Sequence, residues 1–187
     1  MGGGVAVTTG GQDHFALFGL QPVFALDRAR LDARYRELQR VVHPDRFAAA
    51  SDQERRIAMQ QAARLNEAYR VLCDPLARAR YLLELRGHRP EDEQQTHRDP
   101  VFLMEQMELR EALEAAETGP DPLAAVAAVM DRIASRSGEV MDELAAALAG
   151  EDEAATAAAL QAVQRLQFFR RLEEEAGERE ARLLEQG

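Results

Sequence analysis

Apolar positions recur along this chain at helical spacing, and short polar, proline- or glycine-bearing stretches separate the runs. In LDRARLDARYRELQRVV, Leu31, Tyr35, Leu38 and Val42 follow at steps of four, three and four, which is one face of a helix. Asp27 is placed to cap its start, and Pro44 stops it, because a residue preceding proline is pushed out of the α region. SDQE at 51–54 has the form of a capping box, with Ser51 at the cap and Glu54 three residues on. The helix it opens is predicted to bury Ala58, Ala62, Leu65, Tyr69 and Leu72. A closing helix follows, capped by Asp74, begun by Pro75 and ended by Gly87. Ahead of these, HFALFGL predicts a short apolar turn or helix able to pack across the others.

HRPEDEQQTH has no apolar face and predicts a linker over 88–98. Asp99-Pro100 and Asp121-Pro122 then repeat the cap-plus-proline start, opening helices over 100–117 and 122–149, the second ended by Gly150. A last helix is expected over 153–185. The expected fold is all-α. Residues 1–12 form a flexible tail and 13–87 a first domain of two long helices with packing helices. Residues 99–187 form a three-helix bundle, or a long hairpin with a third helix against it. The shortness of the linker predicts a fixed orientation between the two.

Composition agrees with an all-helical chain: 46% hydrophobic, 30% charged, 5% aromatic and no Trp. The formal net charge is −10, which makes duplex nucleic acid a poor partner. The charge is uneven. Residues 13–98 carry 15 Arg against 13 Asp and Glu, whereas 99–187 carry 8 Arg against 20. No apolar run approaches the ~18 residues that span a bilayer, and the glycine-rich start has no export signal, so no membrane partner is expected. The single cysteine, Cys73, excludes a disulfide within the chain and a cysteine-cluster metal site. A reducing, cytoplasmic compartment fits.

His43-Pro44-Asp45 interrupts the helical pattern. It reads either as an ordinary turn or as a surface for another protein. A metal site would need partners at ligand spacing, but His14, His88 and His97 are scattered over loops. A catalytic site would need a base, a nucleophile or an oxyanion donor nearby, and the chain has no Gly-rich phosphate loop, no Gly-x-Ser-x-Gly and no Cys–His pairing. No enzyme, metal or cofactor is therefore expected.

Residues 13–87 resemble a J-domain, through DHFALFGL, RYRELQRVVHPDRF and LNEAYRVLCDPLARARYLL. J-domains activate heat-shock ATPase chaperones of the DnaK class. The resemblance implies that His43, Pro44 and Asp45 are the activating residues, flanked by Arg36, Arg40 and Arg46 on the basic docking face. Arg46 stands where Lys is usual and keeps the charge. Proline pre-orders such a loop, and an aspartate can accept a charge-assisted bond from a partner's arginine. Arg36 and Arg40 share a helix face, a positive patch on an acidic protein. Alternatively, they belong to a solvated face paired with Asp32 and Glu37.

In DPVFLMEQMELREALEAAE, Phe102, Leu109, Leu113 and Ala116 share one narrow stripe, the core face. Leu103, Met104 and Met107 point elsewhere, with Glu108 and Glu111 beside them. Methionine and leucine rimmed by glutamate form either a binding surface or a face covered by a neighbouring helix. In the last helix the stripe runs through Ala162, Leu166, Phe169 and Ala176 and leaves Phe168 about 100° away. Phe168 therefore either extends the same patch or contacts the third helix.

FLMEQMELREALE, preceded by THRD, is similar to the C-terminal domain of the HscB family, J-domain co-chaperones of iron–sulfur cluster assembly. The resemblance implies that this half binds the cluster scaffold protein IscU through Leu103, Met104, Met107, Glu108, Glu111 and Phe168, while the J-domain stimulates the ATPase of an HscA-type chaperone. Met107 replaces a more usual leucine, and Ala115 stands where a further acidic residue is expected. The cysteine-rich metal-binding start of some relatives is missing, so no metal is implied. Two rivals remain: a generic J-protein of DnaK with another client, and a helical structural or oligomerisation module in which His-Pro-Asp is only a turn.

Overall fold

The computed structural model describes residues 13–43, 51–88 and 99–186. The expected tail over 1–12 and the expected linker residues 89–98 lie outside them. So do Pro44, Asp45 and Arg46. The described residues fold as helices with no strand: α1 (His14–Phe18), α2 (Arg28–Val42), α3 (Asp52–Cys73), α4 (Pro75–Leu85), α5 (Pro100–Ala116), α6 (Pro122–Ala149) and α7 (Glu153–Gln186). The chain divides into two compact units, Met1–Arg78 and Ala79–Gly187.

Each boundary has a local cause. The Asp13, Asp27, Asp99 and Asp121 carboxylates accept from the first free N–H groups of α1, α2, α5 and α6 at 3.0–3.1 Å. Ser51 and Glu54 close the reciprocal capping box at α3. Such caps contribute about 1 kcal/mol each. Gly19 ends α1 in the left-handed region at φ +64, where a side chain would be strained.

In the N-terminal unit α1 and α2 both pack on α3. Phe15, Phe18, Leu31, Ala58, Leu65, Ala68 and Leu72 are buried. The expected α2 stripe is only partly internal: Leu31 is fully buried, whereas Tyr35, Leu38 and Val42 are half-buried. The open side of the α2–α3 seam is held by an aromatic and polar clasp. Tyr35 stacks on Tyr69 with ring centroids 3.9 Å apart. The Tyr69 hydroxyl donates to Asp32 at 2.8 Å, Arg28 reaches the same carboxylate at 2.7 Å, and the Tyr35 hydroxyl donates to Asn66 at 2.9 Å.

In the C-terminal unit α6 and α7 pack antiparallel along most of their length, and α5 lies against both. The core is Val126, Val129, Ile133, Val140, Leu144 and Leu148 of α6 against Leu160, Val163, Leu166, Phe169, Leu172 and Ala176 of α7, closed by Phe102, Leu109, Leu113 and Ala116 of α5. Both stripes read from the sequence are thus buried. Arg86, just past α4, donates to the Leu148 and Gly150 carbonyls at 2.7 and 3.0 Å. These two bonds satisfy acceptors that α6 leaves open at its end. They help explain why the compact units divide within α4, at Arg78, rather than after Gly87.

Candidate functional sites

The first site lies on α2. The Asp27 cap and the Tyr35–Tyr69 stack fix the helix against α3, which turns its charged face outward. Arg36 and Arg40 are both exposed one turn apart, and His43 is the exposed C-cap, with φ −61 and ψ 128. The two carboxylates that were candidate partners of this face are engaged elsewhere: Asp32 with Arg28 at 2.7 Å and Glu37 with Arg34 at 2.6 Å. Arg36 has no ion-pair partner among the described residues. The Arg28 guanidinium, and after it the Tyr69 hydroxyl, hold the Asp32 carboxyl below the ordinary carboxylate range. The bond to Asp32 raises the Tyr69 phenol. Nearby, burial raises the Cys73 thiol, which leaves it a poor nucleophile.

The second site lies on α5. Helical geometry puts Phe102, Leu109 and Leu113 inward and leaves Leu103, Met104 and Met107 on the outer surface, 53, 63 and 56% exposed. Among the described residues no neighbouring helix covers these side chains: α6 and α7 both pack on the opposite face of α5. Glu108 and Glu111 are exposed beside the apolar residues and have no ion-pair partner among the described residues. Glu105, by contrast, is pinned to α6 by Arg136, whose guanidinium also reaches Glu139. The acidic rim of the face is therefore a property of Glu108 and Glu111.

Of the two readings of Phe168, extending the apolar surface or contacting the third helix, the structure shows the second: the residue is only 5% exposed. Three helices meet here, so the inward arc of α7 is wide enough for both Phe168 and Phe169. Phe168 meets Phe102 and Phe169 edge-on, with centroids 5.7 Å away in both cases. It supports the outer face from beneath.

Two residues of this face have no part in the sequence reading. Val101, 76% exposed, continues the apolar surface past Met104. Its signal is its helical position, about 60° from Met104. Arg110 lies over the Phe168 ring, its guanidinium carbon 5.5 Å from the centroid. Among the described residues no group of three or more His, Cys, Asp or Glu is arranged to hold a metal ion, and no helix is long and apolar enough to cross a membrane.

Comparison with known proteins places this geometry. The family described as the HSCB C-terminal oligomerisation domain matches residues 98–177. A co-chaperone protein HscB homolog from Burkholderia multivorans is 48% identical, over 91% of this chain and 95% of the relative. One from Pseudoalteromonas atlantica is 44% identical, over 87% and 93%. The solved structure of chaperone HscB from Vibrio cholerae is 41% identical with a TM-score of 0.80, covering 92% of this chain and 99% of that one. That of the human co-chaperone HscB is 30% identical with a TM-score of 0.81, covering 90% and 82%. On this evidence the chain, an all-helical J-domain protein with an added three-helix bundle, belongs to the HscB family of co-chaperones.

Proposed function

We propose that this co-chaperone acts in iron–sulfur cluster assembly through two sites: the His43-Pro44-Asp45 loop with Arg36, Arg40 and Arg46 stimulates ATP hydrolysis by an HscA-type chaperone, and the α5 face presents the scaffold protein IscU. The carrying observation is the outer surface of α5, where Val101, Leu103, Met104 and Met107 stay exposed while the opposite face closes the bundle core. A family J-domain explains engagement of a chaperone; an exposed apolar face on a separate unit, carrying carboxylates that have no ion-pair partner among the described residues, supports capture of a client. The J-domain extends over 13–87 and the scaffold-binding domain over 99–187. Tethering both partners to one chain turns their encounter into a near-intramolecular event and raises their effective concentration.

ATP is bound and cleaved by the chaperone partner, and this chain is no enzyme. The net charge of −10 supports a reading with no nucleic-acid partner, and the free Cys73 supports the cytoplasm as its compartment. The test is single-turnover ATP hydrolysis by HscA with this protein added, with and without IscU, and Asp45→Asn as control. Acceleration that is enhanced by IscU and lost in the variant supports both sites. No acceleration in any mixture overturns the reading. The description of the matched family favours self-association of the same bundle as a second reading. Sedimentation of the protein alone separates them, since a monomer whose α5 face binds IscU leaves no role for a second copy there.

A further inference from the structure

Arg110 differs from the arginines that hold the C-terminal unit together. Arg136, Arg165, Arg179 and Arg182 each have a carboxylate within ion-pair distance. Arg110 has none among the described residues, although Glu114 follows one turn later on α5. Its guanidinium lies instead over the face of Phe168, 5.5 Å from the ring centroid, while the residue as a whole is exposed. An arginine on an aromatic face is held in place and keeps its N–H edge free for a planar anion. Phe168, locked edge-on between Phe102 and Phe169, is a rigid platform for it.

Position gives this charge a role. At about 100° per residue, Arg110 falls about 20° to one side of Leu103, whereas Glu114, Glu111 and Glu108 fall about 20°, about 80° and about 140° to the other, interleaved with Met107, Met104 and Val101. The charge on this surface is therefore asymmetric: Arg110 bounds it on the Leu103 side, and carboxylates run through the rest. A rim of one sign accepts an oppositely charged partner in many orientations. An asymmetric pattern favours one orientation and penalises the reverse by placing like charges together.

We infer that Arg110 is a specificity-determining residue of the α5 face, pairing with a carboxylate of the bound scaffold protein and, against the carboxylates Glu108 and Glu111 further round the face, fixing the orientation in which that protein docks. This rests on the scaffold-binding reading above.

The experiment measures IscU affinity at low and high salt for the full chain. The variants are Arg110→Lys, Arg110→Gln and Arg110→Glu, with the double variant Leu103→Ser, Met107→Ser as control. Lysine should stay within about threefold of the parent, glutamine should weaken binding about three- to fivefold, and glutamate about tenfold or more at low salt. The spread should narrow as salt rises. Equal affinities for the glutamine and glutamate variants, a loss with lysine as large as with glutamine, or losses indifferent to salt would overturn the role of Arg110, while loss of binding in the double variant leaves the α5 reading standing. Unchanged binding in the double variant, or no binding by the parent, overturns that reading and this inference with it.

Discussion

Phe168 of α7 meets Phe102 of α5 edge to face, with centroids 5.7 Å apart and ring planes at 89°. Edge-to-face geometry sets the positive rim of one ring against the negative face of the other, a preference worth ~0.5–1.5 kcal/mol beyond the buried area. The pair lies on the inner side of α5, one residue in sequence from the exposed Leu103. The same helix thus closes the bundle with one face and leaves the other, the proposed partner surface, exposed. On a helix already fixed by its core contacts, such a surface would need to gain little order on docking.

Removing Phe168 should therefore damage the fold, and removing the outer residues should not. Phe168→Ser is expected to destabilise the bundle by about 3–5 kcal/mol, the range for truncating a buried aromatic. Leu103→Ser with Met107→Ser should change stability by no more than about 0.5 kcal/mol per site, since both side chains are already in water. Urea unfolding followed by helical circular dichroism measures both. Equal losses in the two variants would place Leu103 and Met107 in the core.

The clasp between α2 and α3 makes a pH prediction. Arg28 and Tyr69 lower the Asp32 carboxyl in the folded state. A depressed carboxylate adds stability that is present above the unfolded pKa, ~3.9, and is lost as pH falls through the lower folded value. The parent should therefore exceed Asp32→Asn in stability at neutral pH, and the difference should shrink under acid conditions below the ordinary carboxylate range. Thermal midpoints for the two proteins from neutral to strongly acid pH test this; a gap that stays constant removes the charge from the clasp.

Much of this arrangement is legible in the sequence because its signals are local. Ser51 with Glu54, Asp99 with Pro100 and Asp121 with Pro122 act within one turn, and all three start helices as expected. The stripe through Phe102, Leu109, Leu113 and Ala116 is read from spacing alone and is buried. The place of Phe168 stayed open between two readings because the breadth of a buried arc depends on how many helices surround it, which spacing along one helix does not encode. The Tyr35–Tyr69 stack and the placement of Arg110 on Phe168 are tertiary contacts between distant residues, so no motif announces them. The choice of partner for Asp32 is similar: Arg28 and Arg36 both stand four residues away, and Tyr69 on α3 lies beside Arg28, whose guanidinium is 3.3 Å from its hydroxyl.

Two glycines of the bundle should respond in opposite directions. Gly138 is an exposed mid-helix position of α6, and a Cβ there meets nothing within 4 Å. Gly138→Ala should stabilise by about 0.5–1 kcal/mol, since alanine restricts the unfolded chain and favours the helix. Gly150 joins α6 to α7, and a Cβ there would lie 2.6 Å from the Ala155 Cβ. Gly150→Ala should therefore destabilise, because the start of α7 must shift. Denaturation midpoints of the two variants decide the matter, and a stabilised Gly150→Ala would show that the turn relaxes freely.

Arg36 provides the last prediction, because the structure leaves it without a carboxylate partner among the described residues while its neighbours Arg28 and Arg34 are engaged. Its charge acts outward, at long range, on whatever approaches α2. If that partner is an acidic face of an HscA-type ATPase, Arg36→Glu should raise the concentration of this protein needed for half-maximal stimulation by about tenfold at low salt. The maximal stimulation should change less if, as proposed, Arg36 guides docking and the loop that follows His43 triggers hydrolysis. Raising the ionic strength shortens the Debye length from ~10 Å at 0.1 M to ~3 Å at 1 M, so the parent and the variant should converge. Stability should change little, because Arg36 is exposed and its charge acts on Asp32 more weakly than the bonds from Arg28 and Tyr69. A variant that lowers maximal stimulation at every salt concentration, with the half-maximal concentration unmoved, would place Arg36 in the trigger and not in the approach.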